Sequence, residues 1–158
     1  MVGRISFERV AFDLALCMAH RGTCRRRNYG AVIFDANNCL VSSGYTGAPV
    51  GFPHCTEASA CWREKNNIPS GSNYEKCRSI HAEMNALVQA GSRARGCLLF
   101  LAGIDGGPLQ TLIDAAPCYI CMKLIVNACI SRVYALQADG RSIDYCPENQ
   151  LIEMEKNL

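Results

Sequence analysis

Two short motifs constrain this chain more than any other feature, because both supply metal ligands and both precede helical sequence. The first is His-Ala-Glu at 81–83, and the second is Pro-Cys-Tyr-Ile-Cys at 117–121. Zinc prefers imidazole nitrogen and thiolate sulfur, and a catalytic zinc keeps three protein ligands and an open fourth position. The residues that meet this count are His81, Cys118 and Cys121. Glu83 is then free to transfer protons.

Local sequence predicts a helix after each motif. Pro117 suits the first position of a helix, where its missing N–H would have no partner. Cys118 and Cys121 then lie on one face of the first turn, where free N–H groups and the helix dipole lower thiol pKa values. Residues 82–88 have helical composition, and Gly91 is suited to cap that helix. The two helix N-termini are therefore expected to meet at one ion.

Each motif alone has a simpler interpretation. A Cys-x-x-Cys pair is also typical of two buried thiols or of a redox pair, and a His-x-Glu is often only surface sequence. A purely structural zinc would need a fourth protein ligand, and it would have no use for a proton carrier. The two motifs together, in this order and each before a predicted helix, favour a catalytic zinc.

Composition indicates one globular domain over residues 1–158. Apolar residues make up 49% of the chain and its formal net charge is +2, so a nucleic-acid partner is not indicated. No apolar run approaches the length of a membrane span, and residues 5–20 are typical of an amphipathic helix rather than of a signal peptide. The eleven cysteines therefore favour a cytoplasmic protein whose thiols bind metal or are buried.

The first half of the chain predicts a helix, a hairpin and a long loop. Apolar spacing extends the helix to about Arg21, and strands over 29–34 and 39–45 follow. Residues 46–80 show little periodicity, which predicts a loop with one short helix near Cys61.

The second half of the chain continues the alternation of helices and strands, which is typical of a layered α/β domain. Strands are expected over 97–102, 132–136 and 141–145. A polar, Gly-rich stretch, 103–115, separates the first of these from the Cys118 helix. Asp139-Gly140 is a favoured hairpin turn, so the last strand is expected to be antiparallel to the one before it. A short helix over 147–158 follows.

A second group of candidate ligands lies in or beside the long loop. The group consists of Cys24, Cys55, Cys61 and Cys77, with His54 as an alternate ligand. A loop of this length inside a compact domain needs something to hold it, and a structural zinc would order it. The alternative is a set of buried or free thiols.

With these residues in hand, the chain resembles the deoxycytidylate (dCMP) deaminases of the zinc-dependent cytidine deaminase superfamily, over about residues 5–135. The matching stretches are 30–33, 44–47 with Pro49, 81–86 and 117–130. The resemblance implies a three-layer α/β/α fold with a central mixed sheet of about five strands. It also implies a catalytic zinc, a further zinc of the kind that some members carry, and a homo-oligomer, either a dimer or a hexamer.

The activity that the resemblance implies is hydrolytic deamination of dCMP to dUMP and ammonia, with Glu83 as the catalytic proton carrier. The expected substrate-binding residues are Arg26, Asn28, Thr46 and Ala82. Arg26 and Asn28 lie in or beside the run Arg25-Arg26-Arg27, which either contacts the nucleotide phosphate or forms a solvated turn. The alternatives are deamination of a free nucleoside, base or modified heterocycle, and a non-catalytic scaffold stabilised by zinc.

Three features depart from the family pattern. Thr46 stands where the family usually has an Asn that helps to hold the nucleotide sugar. Residues 103–115 are inserted where the family connects almost directly, and they are expected beside the mouth of the active site. The antiparallel last strand predicted here replaces a parallel one, and in this respect the tail resembles the free-nucleoside cytidine deaminases.

Overall fold

The computed structural model describes residues 3–157, which form five helices and six strands. The helices are α1 (Phe7–His20), α2 (Trp62–Lys65), α3 (Ala82–Ala90), α4 (Tyr119–Asn127) and α5 (Pro147–Glu155). The strands are β1 (Arg27–Phe34), β2 (Leu40–Tyr45), β3 (Leu98–Asp105), β4 (Leu112–Ile113), β5 (Arg132–Leu136) and β6 (Ser142–Tyr145). Among these described helices, none is long and apolar enough to cross a bilayer.

The strands form one mixed sheet in the order β2-β1-β3-β5-β6, and the short β4 pairs with the end of β3. Only β3 and β5 are parallel, and α4 lies between them in the chain. Strand β6 is antiparallel to β5, with Leu136 opposite Ser142. The turn before it places Gly140 at a φ of +86°, a conformation that glycine adopts without steric cost. The predicted mixed sheet with an antiparallel last strand is confirmed.

Apolar side chains on the two faces of the sheet pack under different helices, which gives the three-layer arrangement. Successive residues of a strand point to opposite faces, so β3 contributes to both sides. On one face, Phe100 packs with Phe12 of α1 at 5.4 Å between ring centroids. On the other, Leu99 and Leu101 pack in a core that includes Ala86 of α3 and Met122 of α4. The helices that carry both sequence motifs therefore share one face of the sheet.

Close packing of α3 on β2 fixes the start of α3. A Cβ on Gly44 would lie 2.4 Å from the carbonyl oxygen of Ala82 and 2.4 Å from the nitrogen of Ala86, so only glycine allows this approach. The side-chain amide of Asn85 donates to the carbonyl of Tyr45 at 2.8 Å. These contacts hold the first turn of α3, where His81 is the N-terminal cap, against a rigid strand.

Two expectations about irregular segments need correction or refinement. The expectation that residues 103–115 form a continuous loop is wrong. The first residues of this stretch extend β3 to Asp105, and Leu112–Ile113 form β4. The segment 46–80 is largely irregular, as predicted, with one short helix and two 3₁₀ turns. A buried arginine, Arg63, orders part of it by donating to the carbonyl oxygens of Pro69, Ser72 and Asn73 at 2.6, 2.6 and 3.2 Å.

Candidate metal centre and active-site cleft

The starts of α3 and α4 bring the three predicted ligands together. Nδ1 of His81 lies 3.3 Å from Sγ of Cys118 and 3.4 Å from Sγ of Cys121. Zn–N and Zn–S bonds of ordinary length at tetrahedral angles separate ligand nitrogen and sulfur by about 3.6 Å. The observed spacing is close to that value, so the donor set and its geometry fit a zinc ion.

Helix α4 begins later than the sequence predicts. Pro117 was expected at the first helical position, but Cys118 is the N-terminal cap and Tyr119 is the first helical residue. The expectation fails because the sulfur of Cys118 takes the capping role and accepts from the backbone N–H of Cys121 at 3.5 Å. Pro117 therefore precedes the cap, and the two sulfurs still share the first turn.

Hydrogen bonding makes Cys118 acidic. Cys121 and His81 both contact its sulfur, and these interactions lower the pKa of the Cys118 thiol to about 4 despite its burial. A thiolate is thus favoured at this position at neutral pH. Cys121 is hydrogen-bonded to that sulfur and is fully buried, and both effects raise the pKa of its thiol.

Glu83 is a buried carboxylate beside the metal ligands, but it is not one of them. It is the second residue of α3 and lines the same cleft as His81, with 4% of its surface exposed. Burial raises the pKa of Glu83, and the nearby His81 opposes that shift. A carboxyl group in this environment is suited to taking up and returning a proton near neutral pH.

His81 and Cys118 line a cleft of about 140 Å³, and residues of β1 and the long loop also contribute to its wall. The ring of Tyr74 packs edge-on against the imidazole of His81, with 5.0 Å between their centroids. The guanidinium of Arg63 lies 4.9 Å from the centroid of the same tyrosine ring. The run Arg25-Arg26-Arg27 contributes Arg26 and Arg27 to the lining, and cleft residues that the sequence did not single out are Tyr29, Arg63, Ser70, Tyr74, Ser79 and Ala116. Most lie in aperiodic sequence, where no local signal marks them.

The predicted substrate-binding residues occupy different positions around this cleft. Arg26 and Thr46 line the cleft. Nε of Arg26 lies 3.8 Å from Oε1 of Glu64. The hydroxyl of Thr46 accepts from the backbone N–H of Tyr29 at 3.0 Å. Ala82 is buried at the start of α3, where the first backbone N–H groups of a helix have no intrahelical partner.

Asn28 is buried behind the cleft wall. Its side-chain oxygen accepts from the N–H of Cys24 at 2.8 Å, and its amide nitrogen donates to the carbonyl of Cys24 at 3.0 Å. Both polar atoms are thus used to close the turn that carries Arg25 and Arg26. Asn28 therefore acts on the shape of the arginine segment.

The second predicted ligand group is divided between two clefts that share Cys77. Across residues 3–157, one set of three or more His, Cys, Asp or Glu residues has its ligand atoms within 4.8 Å of one another. That set is His81, Cys118 and Cys121. Cys55, Cys61 and Cys77 line a smaller second cleft, and Cys24 lines the main cleft together with Cys77. His54 contacts the hydroxyl of Thr23 at 3.2 Å through Nδ1.

A three-layer α/β domain with a His-Cys-Cys centre and an adjacent buried glutamate is the architecture of the zinc nucleobase deaminases. The family profile described as the cytidine and deoxycytidylate deaminase zinc-binding region matches residues 6–137, and the chain belongs to this family. The expected family membership and the zinc-binding character of the site are thereby confirmed.

Similar proteins agree with this family. The chain is 30% identical over 145 residues to ComE operon protein 2 of Bacillus subtilis, covering 92% of this chain and 66% of that protein. It is 29% identical over 130 residues to deoxycytidylate deaminase of Schizosaccharomyces pombe, covering 82% and 37% respectively. The chain thus spans from about one third to two thirds of the length of such relatives.

Solved structures share the fold. The dCMP deaminase of cyanophage S-TIM5, in complex with dCMP and dUMP, has a TM-score of 0.62 and 23% identity, covering 96% of this chain and 93% of that one. Cytidine deaminase of Mycobacterium leprae has a TM-score of 0.52 and 10% identity, covering 94% and 98%. The cytidine-deaminase-like fold expected from the sequence is confirmed.

Proposed function

We propose that this protein catalyses the hydrolytic deamination of dCMP to dUMP and ammonia. The observation that carries the proposal is a single cleft lined by two of the three zinc ligands, His81 and Cys118, by the buried Glu83 and by two arginines, Arg26 and Arg27. The first two features suit attack of water on an amine-bearing ring carbon, and the arginines suit a phosphate. The relatives named deoxycytidylate deaminase and the phage enzyme bound to dCMP and dUMP support this substrate.

Glu83 carries the protons in the proposed reaction. His81, Cys118 and Cys121 would hold a zinc ion, which would lower the pKa of water toward neutrality and so supply a nucleophile at neutral pH. The Glu83 carboxylate accepts a proton from that water and delivers it to N3 of the cytosine ring, which makes C4 electrophilic. After the oxygen bonds to C4, Glu83 moves the remaining hydroxyl proton to the amine. The C4–N bond then breaks, ammonia leaves, and the C4 carbonyl of dUMP forms.

Other residues of the cleft are proposed to bind the base, the phosphate and the sugar of the substrate. The backbone N–H of Ala82 is proposed to donate to a polar group of the base, because it lies at the free end of α3 beside the ligands. Arg26 is proposed to bind the phosphate, with Asn28 holding the turn beneath it. Thr46, which lines the cleft, is proposed to face the sugar.

Selectivity for the phosphate is the direct test of this substrate. We expect wild-type protein to release ammonia from dCMP with a kcat/KM at least about 100 times that for deoxycytidine, because a charge-assisted phosphate contact is missing in the nucleoside. Arg26→Ala should lower the value for dCMP at least about tenfold and leave deoxycytidine nearly unchanged. Arg21→Ala is the matched control, because it removes the same charge at an exposed position outside the cleft. Equal rates on dCMP and deoxycytidine would instead favour a free-nucleoside deaminase.

A second zinc is part of the proposal, with Cys24, Cys55, Cys61 and Cys77 as its ligands and His54 as an alternate. Three of the four cysteines line one small cleft, and Cys77 also borders the main cleft. Metal analysis of protein purified without chelators should give two zinc ions per chain. Cys61→Ser should reduce the count to one and leave the catalytic zinc in place. One zinc in wild-type protein would remove this second site.

We further propose a single deaminase-like domain over 1–158, acting as a homo-oligomer in the cytoplasm. Side chains of α5 pack against the core that contains the ligand helices, which supports one domain. All eleven cysteines are free thiols, as expected in a reducing compartment. Light scattering on the purified protein measures whether it is a dimer or a hexamer.

A further inference from the structure

The turn between β3 and β4, residues 106–111 and here called the β3–β4 turn, is held from its base. The carboxylate of Asp105 accepts from the backbone N–H of Gly107 at 2.9 Å and from the hydroxyl of Thr111. The N–H of Asp105 also donates to the carbonyl of Thr111 at 2.9 Å. Both ends of the turn are thus tied to one residue, which gives the turn a defined shape.

This turn contacts the backbone of the arginine segment. The N–H of Gly106 donates to the carbonyl of Arg26 at 2.8 Å. A Cβ on Gly106 would lie 2.3 Å from the carbonyl oxygen of Arg25 and 2.8 Å from the nitrogen of Arg26, distances that no real Cβ tolerates. Nδ1 of His20 lies 2.9 Å from the side-chain oxygen of Gln110, which adds a second attachment at the end of α1.

The arginine segment is therefore fixed on two sides. Asn28 closes it from within the fold, and the β3–β4 turn holds it at Arg26. The side chains of Arg26 and Arg27 project from this segment into the wall of the cleft. A guanidinium recognises a phosphate through directed hydrogen bonds, so its affinity depends on where its backbone is held.

We propose that the β3–β4 turn is a positioning element that sets the affinity of the cleft for the phosphate of the substrate, acting through Arg26. This inference rests on the proposed function, because it assumes a phosphorylated pyrimidine in the cleft. The inserted stretch, residues 103–115, then contributes to substrate choice and takes no part in the chemical step. The turn should therefore affect KM for dCMP and leave the deoxycytidine reaction unaltered.

Gly106→Ala is the test, because its methyl group pushes directly on the backbone of Arg25 and Arg26. The variant should raise the KM for dCMP and the dissociation constant of dUMP about tenfold, with kcat for dCMP and kcat/KM for deoxycytidine within about twofold of wild type. Gly107→Ala is the matched control: its Cβ would meet only the Asp105 carboxylate, at 3.1 Å. It should stay within about twofold of wild type in every measurement.

A double-mutant cycle shows whether the turn acts through Arg26. In an Arg26→Ala background, Gly106→Ala should change the dUMP dissociation constant by less than about twofold, because the group it positions is absent. If Gly106→Ala does not fold, Thr111→Val removes the hydroxyl that ties the turn to Asp105, and it should shift dUMP binding in the same direction. The inference is overturned if the turn variant and wild-type protein bind dUMP with equal affinity. It is also overturned if neither of them binds dUMP. Absence of ammonia release from dCMP by wild-type protein overturns the proposed function separately.

Discussion

Glu83→Gln should abolish most of the deaminase activity while leaving zinc bound. Glutamine has the shape of the glutamate but cannot take up a proton from water or return one to the leaving amine. A single proton-transfer group contributes about 10²–10⁴-fold to rate. Because Glu83 serves two successive transfers, we expect kcat for dCMP to fall at least about 10³-fold. Ammonia release at saturating dCMP measures the loss.

Metal content and stability separate this loss from damage to the site. Glu83 is not in the ligand triad, so zinc per chain should be the same as in wild type. The unfolding temperature should be equal or higher, because a neutral amide replaces a carboxyl group that is desolvated by burial. Glu153→Gln makes the same substitution on the exposed surface of α5 and should change neither activity nor metal content. Undiminished turnover in Glu83→Gln would contradict the proposed mechanism.

The candidate metal centre could be predicted because its ligand types and their short spacings are local features of the sequence. A zinc site needs particular ligand types, and two helix starts supply them at short spacings that place the side chains on one face. The exact start of α4 was not predictable in the same way. Proline favours the first helical position, whereas the sulfur of Cys118 can cap a helix that begins after it. The structure shows the second arrangement.

The mixed sheet was also accessible from sequence, including the antiparallel direction of its last strand. Asp139-Gly140 marks a tight turn, and the short connection between β5 and β6 has no room for a crossover helix, so the last strand can only run antiparallel. The insertion was harder to predict. Its composition indicates a loop, yet β3 continues through Gly103 because that residue pairs with Tyr29 of β1 and Ile113 of β4. Pairing across the sheet overrides the local signal.

Two residues of the cleft lining, Arg63 and Tyr74, had no local signal in the sequence. Arg63 and Tyr74 lie in a segment without periodicity, and their roles depend on contacts with distant backbone carbonyls and with His81. Contacts of this kind follow from tertiary packing and not from residue spacing. These lining residues are therefore less visible in the sequence than the candidate metal ligands.

Cys121→Ser should remove the catalytic zinc and destabilise the protein. The sulfur of Cys121 is fully buried and lies 3.4 Å from the His81 nitrogen, and a serine oxygen is a much poorer zinc ligand. An ion present at 1,000 times its dissociation constant, and bound only by the folded state, contributes about 4 kcal/mol to stability. We therefore expect loss of one zinc per chain, no measurable ammonia release, and an unfolding temperature lower by about 10 °C.

Cys97→Ser distinguishes loss of the metal from loss of a buried thiol. Cys97 is also buried, and its sulfur donates to the carbonyl of Arg93 at 3.0 Å, a hydrogen bond that serine can keep. This control should cost only about 1 kcal/mol of stability and should keep full zinc content and activity. Excess zinc should restore stability to chelator-treated wild-type protein but not to Cys121→Ser. Full zinc content in Cys121→Ser would show that the third ligand is a different residue, because a metal centre that survives without this sulfur cannot depend on it.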